Sequence, residues 1–187
     1  HWRDWSSDVC SSDLALSFQG FKLPQVDDYL ESRVTLFINN DLHIGLATPK
    51  KGMKDYFFKN ADADELLFIH EGSGKLRTSY GSVDFGYGDY LVIPRGTIYK
   101  MEFETPENRI LVIESFSPVE TPRRYRNEYG QLGEHAPFCE RDFRLPQQLE
   151  THDEQGDFMV KIKKRGLIYP YVYGTHPFDV VGWDGYN

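Results

Sequence analysis

From Arg33 onward the chain is a succession of short apolar runs cut by turn residues: VTLFI, LHIGLA, ELLFIHEG, KLRTSYG, YLVIPRG, IYKMEF and RILVIESF. Runs that return at intervals of about 8 to 12 residues leave no room for helices between them, so they predict an antiparallel sandwich or barrel. EGSGK and GYGD supply tight turns, because glycine reaches the positive φ such turns demand. Pro94 closes a strand, where its missing N–H does least harm. The 13 Phe and 12 Tyr suit pleated, half-buried surfaces. One stretch, QVDDYLESR, has the spacing of a short helix.

After Phe116 the character changes. SPVETPRRYRNEYGQLGEHAPFCERDFRLPQQLETHDEQG is rich in proline and charge and lacks periodicity. Residues 117–156 therefore read as an extended strap lying on another surface, since a long segment without its own core is unusual in a compact domain. DFMVKIKKRG and LIYPYVYG then return to strand-like alternation, and HPFDVVGWDGYN closes the chain on apolar and aromatic residues. At the other end, HWRDWSSDVCSSDL has no helix or strand period and resembles translated adapter sequence; a genuine Ser/Asp tail is the alternative. The expected organisation is a non-native tail over 1–14, a β-domain over 15–116, the strap over 117–156, and the start of a link to a missing C-terminal barrel over 157–187. Both ends read as cut.

A net charge of −8 argues against a general nucleic-acid binder, which needs a basic footprint. Cys10 and Cys139 are too few for a disulfide framework and point to a reducing, cytoplasmic setting. No apolar run approaches the roughly 18 residues of a membrane span.

The segment NADADELLFIHEGSG invites a metal reading through His70 and Glu71. On a strand, however, neighbours point to opposite faces, so these two cannot share an ion; His70 sides with Phe68 and Leu66. Asp62, Asp64 and Glu65 lack the alternation and closing glutamate of a calcium loop and read as a solvated loop. GSGK departs from the phosphate-loop pattern at Ile69 and Leu76 and is explained by a hairpin turn. His135 and Cys139 have zinc-like spacing without a second pair. The basic runs PRRYR and KIKKRG read as ion-paired surface in an acidic chain. A stand-alone metalloenzyme would need His43, His70 and Glu65 to converge.

Glu65 to Gly72 fits E-x6-G, and GDYLVIPRG, from Gly88 to Gly96, fits G-x5-P-x-G. Together they resemble the two motifs of the cupin barrel. In metal-binding cupins, H-x-H precedes that glutamate and a histidine follows the last glycine by three residues. Here the upstream positions are Lys59 and Ala61, or Phe58 and Asn60 with longer spacing, and the downstream position is Tyr99. Only Glu65 is kept of four ligands, which implies a metal-free barrel. The resemblance extends further. From about residue 33 to the end, including the strap and HPFDVVGWDG, the chain is similar to the bacterial branch of the homogentisate 1,2-dioxygenase family.

That resemblance implies a soluble non-haem Fe(II) enzyme opening the ring of homogentisate with O₂ to give maleylacetoacetate, in tyrosine and phenylalanine breakdown. It also implies two barrel-like halves and assembly as trimers or hexamers. The family's iron ligands and catalytic histidine lie downstream of HPFDVVGWDG. No catalytic, cofactor-binding or metal residue is therefore expected in this chain, which should be inactive alone. The other reading is a metal-free cupin serving as a small-molecule or partner binding module.

Overall fold

A computed structural model describes residues 19–146 and 149–179. Among these residues eleven strands form two sheets. In chain order they are β1 (Arg33–Ile38), β2 (Leu42–Ala47), β3 (Phe57–Asn60), β4 (Asp64–Glu71), β5 (Gly74–Thr78), β6 (Gly81–Phe85), β7 (Tyr90–Ile93), β8 (Ile98–Phe103), β9 (Arg109–Ser115), β10 (Gln155–Lys164) and β11 (Leu167–Thr175). One sheet runs β1-β2-β9-β4-β7 and the other β11-β10-β3-β8-β5-β6. The all-β architecture read from the apolar runs is the one found.

The period of two explains the packing. Along β4 burial alternates, with Glu65, Leu67 and Ile69 inward, and β9 answers with Ile110, Val112 and Glu114. The second sheet contributes Phe58, Leu76, Phe85, Tyr99 and Met101, and together these side chains make the main core. Each of the apolar side chains among them contributes roughly 1.5–3 kcal/mol by leaving water, whereas Glu65 and Glu114 need partners to be buried. Phe57 points the other way and builds a smaller cluster with Val160 and Phe178 on the outer face of the six-stranded sheet.

Three details depart from the sequence reading. FFKN and GSVDF form β3 and β6, though neither shows an apolar alternation long enough to stand out. QVDDYLESR is no helix: Asp28 Oδ1 accepts the N–H groups of Leu30 and Glu31, and a single turn closes from Ser32 N–H to the Asp28 carbonyl. The carboxylate caps that turn and Tyr29 drops into the core, so the helix does not propagate. Finally, β10 joins β3 in parallel, among otherwise antiparallel strands. A parallel partner needs a long crossover, and the strap is that crossover. Its described residues over 117–154 include two 3₁₀ turns, Arg123–Tyr125 and Glu140–Asp142. Phe138 packs edge-on to Phe143 at 5.4 Å and lies 6.4 Å from Tyr125. The first 14 residues and the GWDG end lie outside the described residues.

Gly72, the glycine of the E-x6-G motif, turns the chain from β4 to β5 at φ +106°. A Cβ there would lie 2.1 Å from Asn108 Oδ1, whose side chain is buried and bonded to Thr105 and Pro49. Gly72→Ala should therefore lower unfolding free energy by on the order of 2–3 kcal/mol in urea titrations. Gly86→Ala, with open space around the new methyl, should stay within about 0.5 kcal/mol of wild type.

Candidate functional site

Two polar clusters stand out among the described residues, one inside the barrel and one outside. The interior cluster occupies the cupin motif positions. β3 turns Phe58 and Asn60 inward and Lys59 outward, so the longer of the two upstream spacings faces Glu65. Glu65 is fully buried, and its Oε2 accepts the Tyr99 hydroxyl at 2.6 Å. Its Oε1 accepts the Arg33 guanidinium at 2.6 Å and the Asn60 amide at 3.3 Å. Arg33 enters from β1, and its guanidinium lies 5.5 Å from the centre of the Tyr29 ring and 5.8 Å from that of Phe58.

Glu114 on β9 extends the network. It accepts Asn60 at 2.8 Å and Lys163 at 2.6 Å, with Arg33 3.6 Å away and His43 at 3.7 Å. Burial works against the charge on Arg33, but Glu65 and its neighbours overcome it and hold the guanidinium well above its ordinary range. Burial pushes the Tyr99 phenol well up, and Glu65 adds to the effect, so it stays a donor. For Glu114 burial would raise the carboxyl, yet Arg33, Lys163 and Asn60 bring it below its usual value.

This interior does not fit a metal ion. Its central carboxylate already accepts from three donors, and a cation there would face the like charge of Arg33. His70 lies on the other face of β4, near Phe68 and Tyr87, while His43 faces Glu114. His43, His70 and Glu65 do not converge. The carboxylates at and just before the start of β4 have structural tasks: Asp62 accepts the N–H groups of Arg165 and Gly166, and Asp64 those of Arg95 and Val119. Cys139 donates hydrogen bonds from its backbone N–H and thiol to the Asp142 carboxylate, and Arg126 pairs with Glu120 at 3.2 Å.

The outer cluster joins the end of the strap to the end of β11. Glu150 accepts Arg77 from β5, Ser82 from β6 and, at 3.2 Å, His152 Nε2. Arg77, seconded by Ser82 and His152, holds the Glu150 carboxyl at about 2 against burial. His152 Nδ1 faces Glu154 at 3.2–3.3 Å. The His176 ring stacks on His152 at 3.7 Å and 10°, against Phe57 and Phe158. Burial first, then His152, pushes the His176 imidazole below its ordinary value. No residue of this group is among the candidates that the sequence offers. The available signal was H-x-E in THDE, whose spacing puts both side chains on one face of an extended segment.

A sequence profile described as "Homogentisate 1,2-dioxygenase N-terminal" matches residues 9–187. The chain belongs to this family. A protein of Saccharolobus solfataricus that carries the name of a dioxygenase is 41% identical over 165 residues, covering 88% of this chain. The chain spans only 42% of that relative's length. Among solved structures, a cupin-2 domain protein from Shewanella frigidimarina aligns with TM-score 0.45 and 21% identity over 56% of this chain and 97% of its own. The salicylate 1,2-dioxygenase of Pseudaminobacter salicylatoxidans aligns at 0.36 and 16%, over 40% and 21% of the two chains.

Two outcomes follow from the interior network. Arg33→Met leaves Glu65 buried without its counter-charge and should cost roughly 3–5 kcal/mol in urea unfolding. Adding Glu65→Gln, which keeps an acceptor for Tyr99, should recover part of that loss; an additive double mutant would show that the pair is not coupled. Glu114 has a lowered folded-state value, so its contribution is complete above the usual carboxylate value of 4.5 and is lost as pH falls below it. The acid side of the stability profile should therefore flatten in Glu114→Gln, read as urea midpoints between neutral and acidic pH.

Proposed function

We propose that this chain is the non-catalytic N-terminal part of a cytoplasmic non-haem Fe(II) ring-cleaving dioxygenase. Its reaction is homogentisate plus O₂ to maleylacetoacetate, within tyrosine and phenylalanine breakdown. The observation that carries this reading is the Arg33–Glu65 pair, standing where a cupin would hold metal, in a member of that family. A barrel whose centre is neutralised by its own guanidinium has no open positions for iron, substrate and O₂. The iron and the proton-transfer groups are accordingly assigned to the rest of the longer protein, and none of this chain's residues is given a catalytic role.

On this reading the β-domain, the strap and β10–β11 supply packing to a two-barrel polypeptide that assembles as a trimer or hexamer. The 42% share of the relative's length leaves ample chain for a second barrel. A second reading, a metal-free cupin that binds a small molecule or partner, draws on a cavity of about 290 Å³ between the sheets, lined in part by Arg33, His43, Glu114 and Lys163. Its mixed charges would suit a small zwitterion or acid.

Oxygen uptake separates the two. A polypeptide extended to the relative's length and loaded with Fe(II) should consume one O₂ per homogentisate and yield a product heavier by two oxygen atoms. The 187-residue chain given Fe(II) alone should consume none. Turnover by the short chain would overturn the division of labour. Silence in the extended protein, with tight binding of aromatic acids by the short chain, would favour the binding module.

A further inference from the structure

We propose that His152, Glu154 and His176 form a binding site for a divalent transition-metal ion, which clasps the strap to the end of β11. One donor atom from each residue lies within 4.8 Å of the other two. Two imidazoles and one carboxylate make a borderline donor set suited to zinc, cobalt or nickel rather than to calcium or magnesium. This site differs from the barrel centre, and it runs against the expectation that the chain holds no metal ligand.

The backbone fixes the two halves of the site before any ion arrives. His176 N–H donates to the Glu154 carbonyl at 3.0 Å, and His152 forms a parallel bridge with Asp179. The floor is apolar, since Phe57, Phe158 and Phe178 lie 5.0–5.3 Å from the His176 ring centre. Glu154 is the exposed ligand, at 58% side-chain exposure, so an ion enters from solvent.

The support around His152 is what a metal-bound histidine needs. Such a histidine donates its outer N–H to a carboxylate, which fixes its tautomer and raises its basicity. His152 Nε2 faces Glu150 at 3.2 Å, and Glu150 is in turn held by Arg77 and Ser82. Nδ1 faces the Glu154 carboxylate 3.2–3.3 Å away, where a bound ion would take the place of a proton. Two lone-pair-bearing atoms repel at that distance unless a proton or a cation lies between them. The separation also equals the roughly 3.3 Å edge of a tetrahedron with 2.0–2.1 Å metal–ligand bonds.

His176 pays a definite cost on loading. Its Nδ1 accepts the Phe178 N–H at 3.1 Å, so in the neutral ring the proton sits on Nε2. To ligate through Nε2, that proton moves to Nδ1 and the Phe178 bond breaks. The stacked rings must also rotate apart so that their lone pairs converge. The affinity is therefore moderate, and the broken bond gives a spectroscopic marker.

Zinc titrated calorimetrically into the purified, untagged 187-residue chain should bind at one ion per chain. Glu154→Gln and His176→Gln should each weaken it at least about tenfold, and Glu150→Gln about 10- to 100-fold. Glu154→Gln alters an exposed side chain, so its metal-free melting curve should match wild type. A control variant carrying His135→Gln and Cys139→Ser should bind as wild type does. Zinc should speed hydrogen exchange at the Phe178 amide, and cobalt should give visible absorption that Glu154→Gln abolishes. Absence of binding by zinc, cobalt and nickel at millimolar concentration would overturn the proposal. Undiminished binding in the His152→Gln/His176→Gln double variant would do the same.

Discussion

One buried carboxylate sets the terms for the rest of the barrel. Glu65 is fully enclosed, and a lone charge in that position would be too costly to keep ionised. It is tolerated because Arg33 reaches across from β1, Tyr99 from β8 and Asn60 from β3, each supplying a hydrogen to the same two oxygens. The two sheets are thereby tied together at their centre by a directional polar knot rather than by apolar contact alone. Glu114 repeats the pattern one strand away, taking Asn60 and Lys163, so β10 is drawn into the same network. The charge of the buried Glu65 carboxylate is met by a side chain of the same chain.

An arginine carries a fixed charge and offers no vacant orbital, so it neutralises a carboxylate without supplying the open coordination positions of a metal ion. Its guanidinium also rests near the Tyr29 and Phe58 rings, which leaves little freedom to swing aside. The interior is built for rigidity, and the outer cluster at the strap's end is where donor atoms remain exposed to solvent.

Much of the fold was legible because the period of two is a local property. ELLFIHE and RILVIES announce their buried faces residue by residue, and the structure pairs them in that register. β3 and β6 were harder to see. FFKN buries residues on both faces, since Phe57 feeds the outer cluster while Phe58 feeds the core, and no alternation results. The helix expected near Asp28 failed for a chemical reason, as a short acidic side chain bonded its own turn instead of letting the helix propagate. The barrel centre was half legible: the motifs located Glu65 and Tyr99, but nothing in spacing reveals that Arg33, 32 residues earlier, would complete them. Of the outer cluster only the H-x-E pair is legible, because His152 and His176 meet only through the placement of β10 and β11, a long-range outcome of the crossover.

The last strand carries a proline. Pro170 sits mid-way along β11, opposite Lys161, and β11 is the outermost strand of its sheet among the described residues. Its neighbours Leu167, Ile168, Tyr169, Tyr171 and Val172 are all exposed, an unusually oily rim for an edge. Proline in an edge strand takes the place whose nitrogen points away from the ladder. One donor is thereby missing from the outward-facing row, and a foreign strand laid alongside would find a gap in its bonding. The rim can be touched by side chains yet resists being extended as a sheet, which separates stickiness from templated polymerisation.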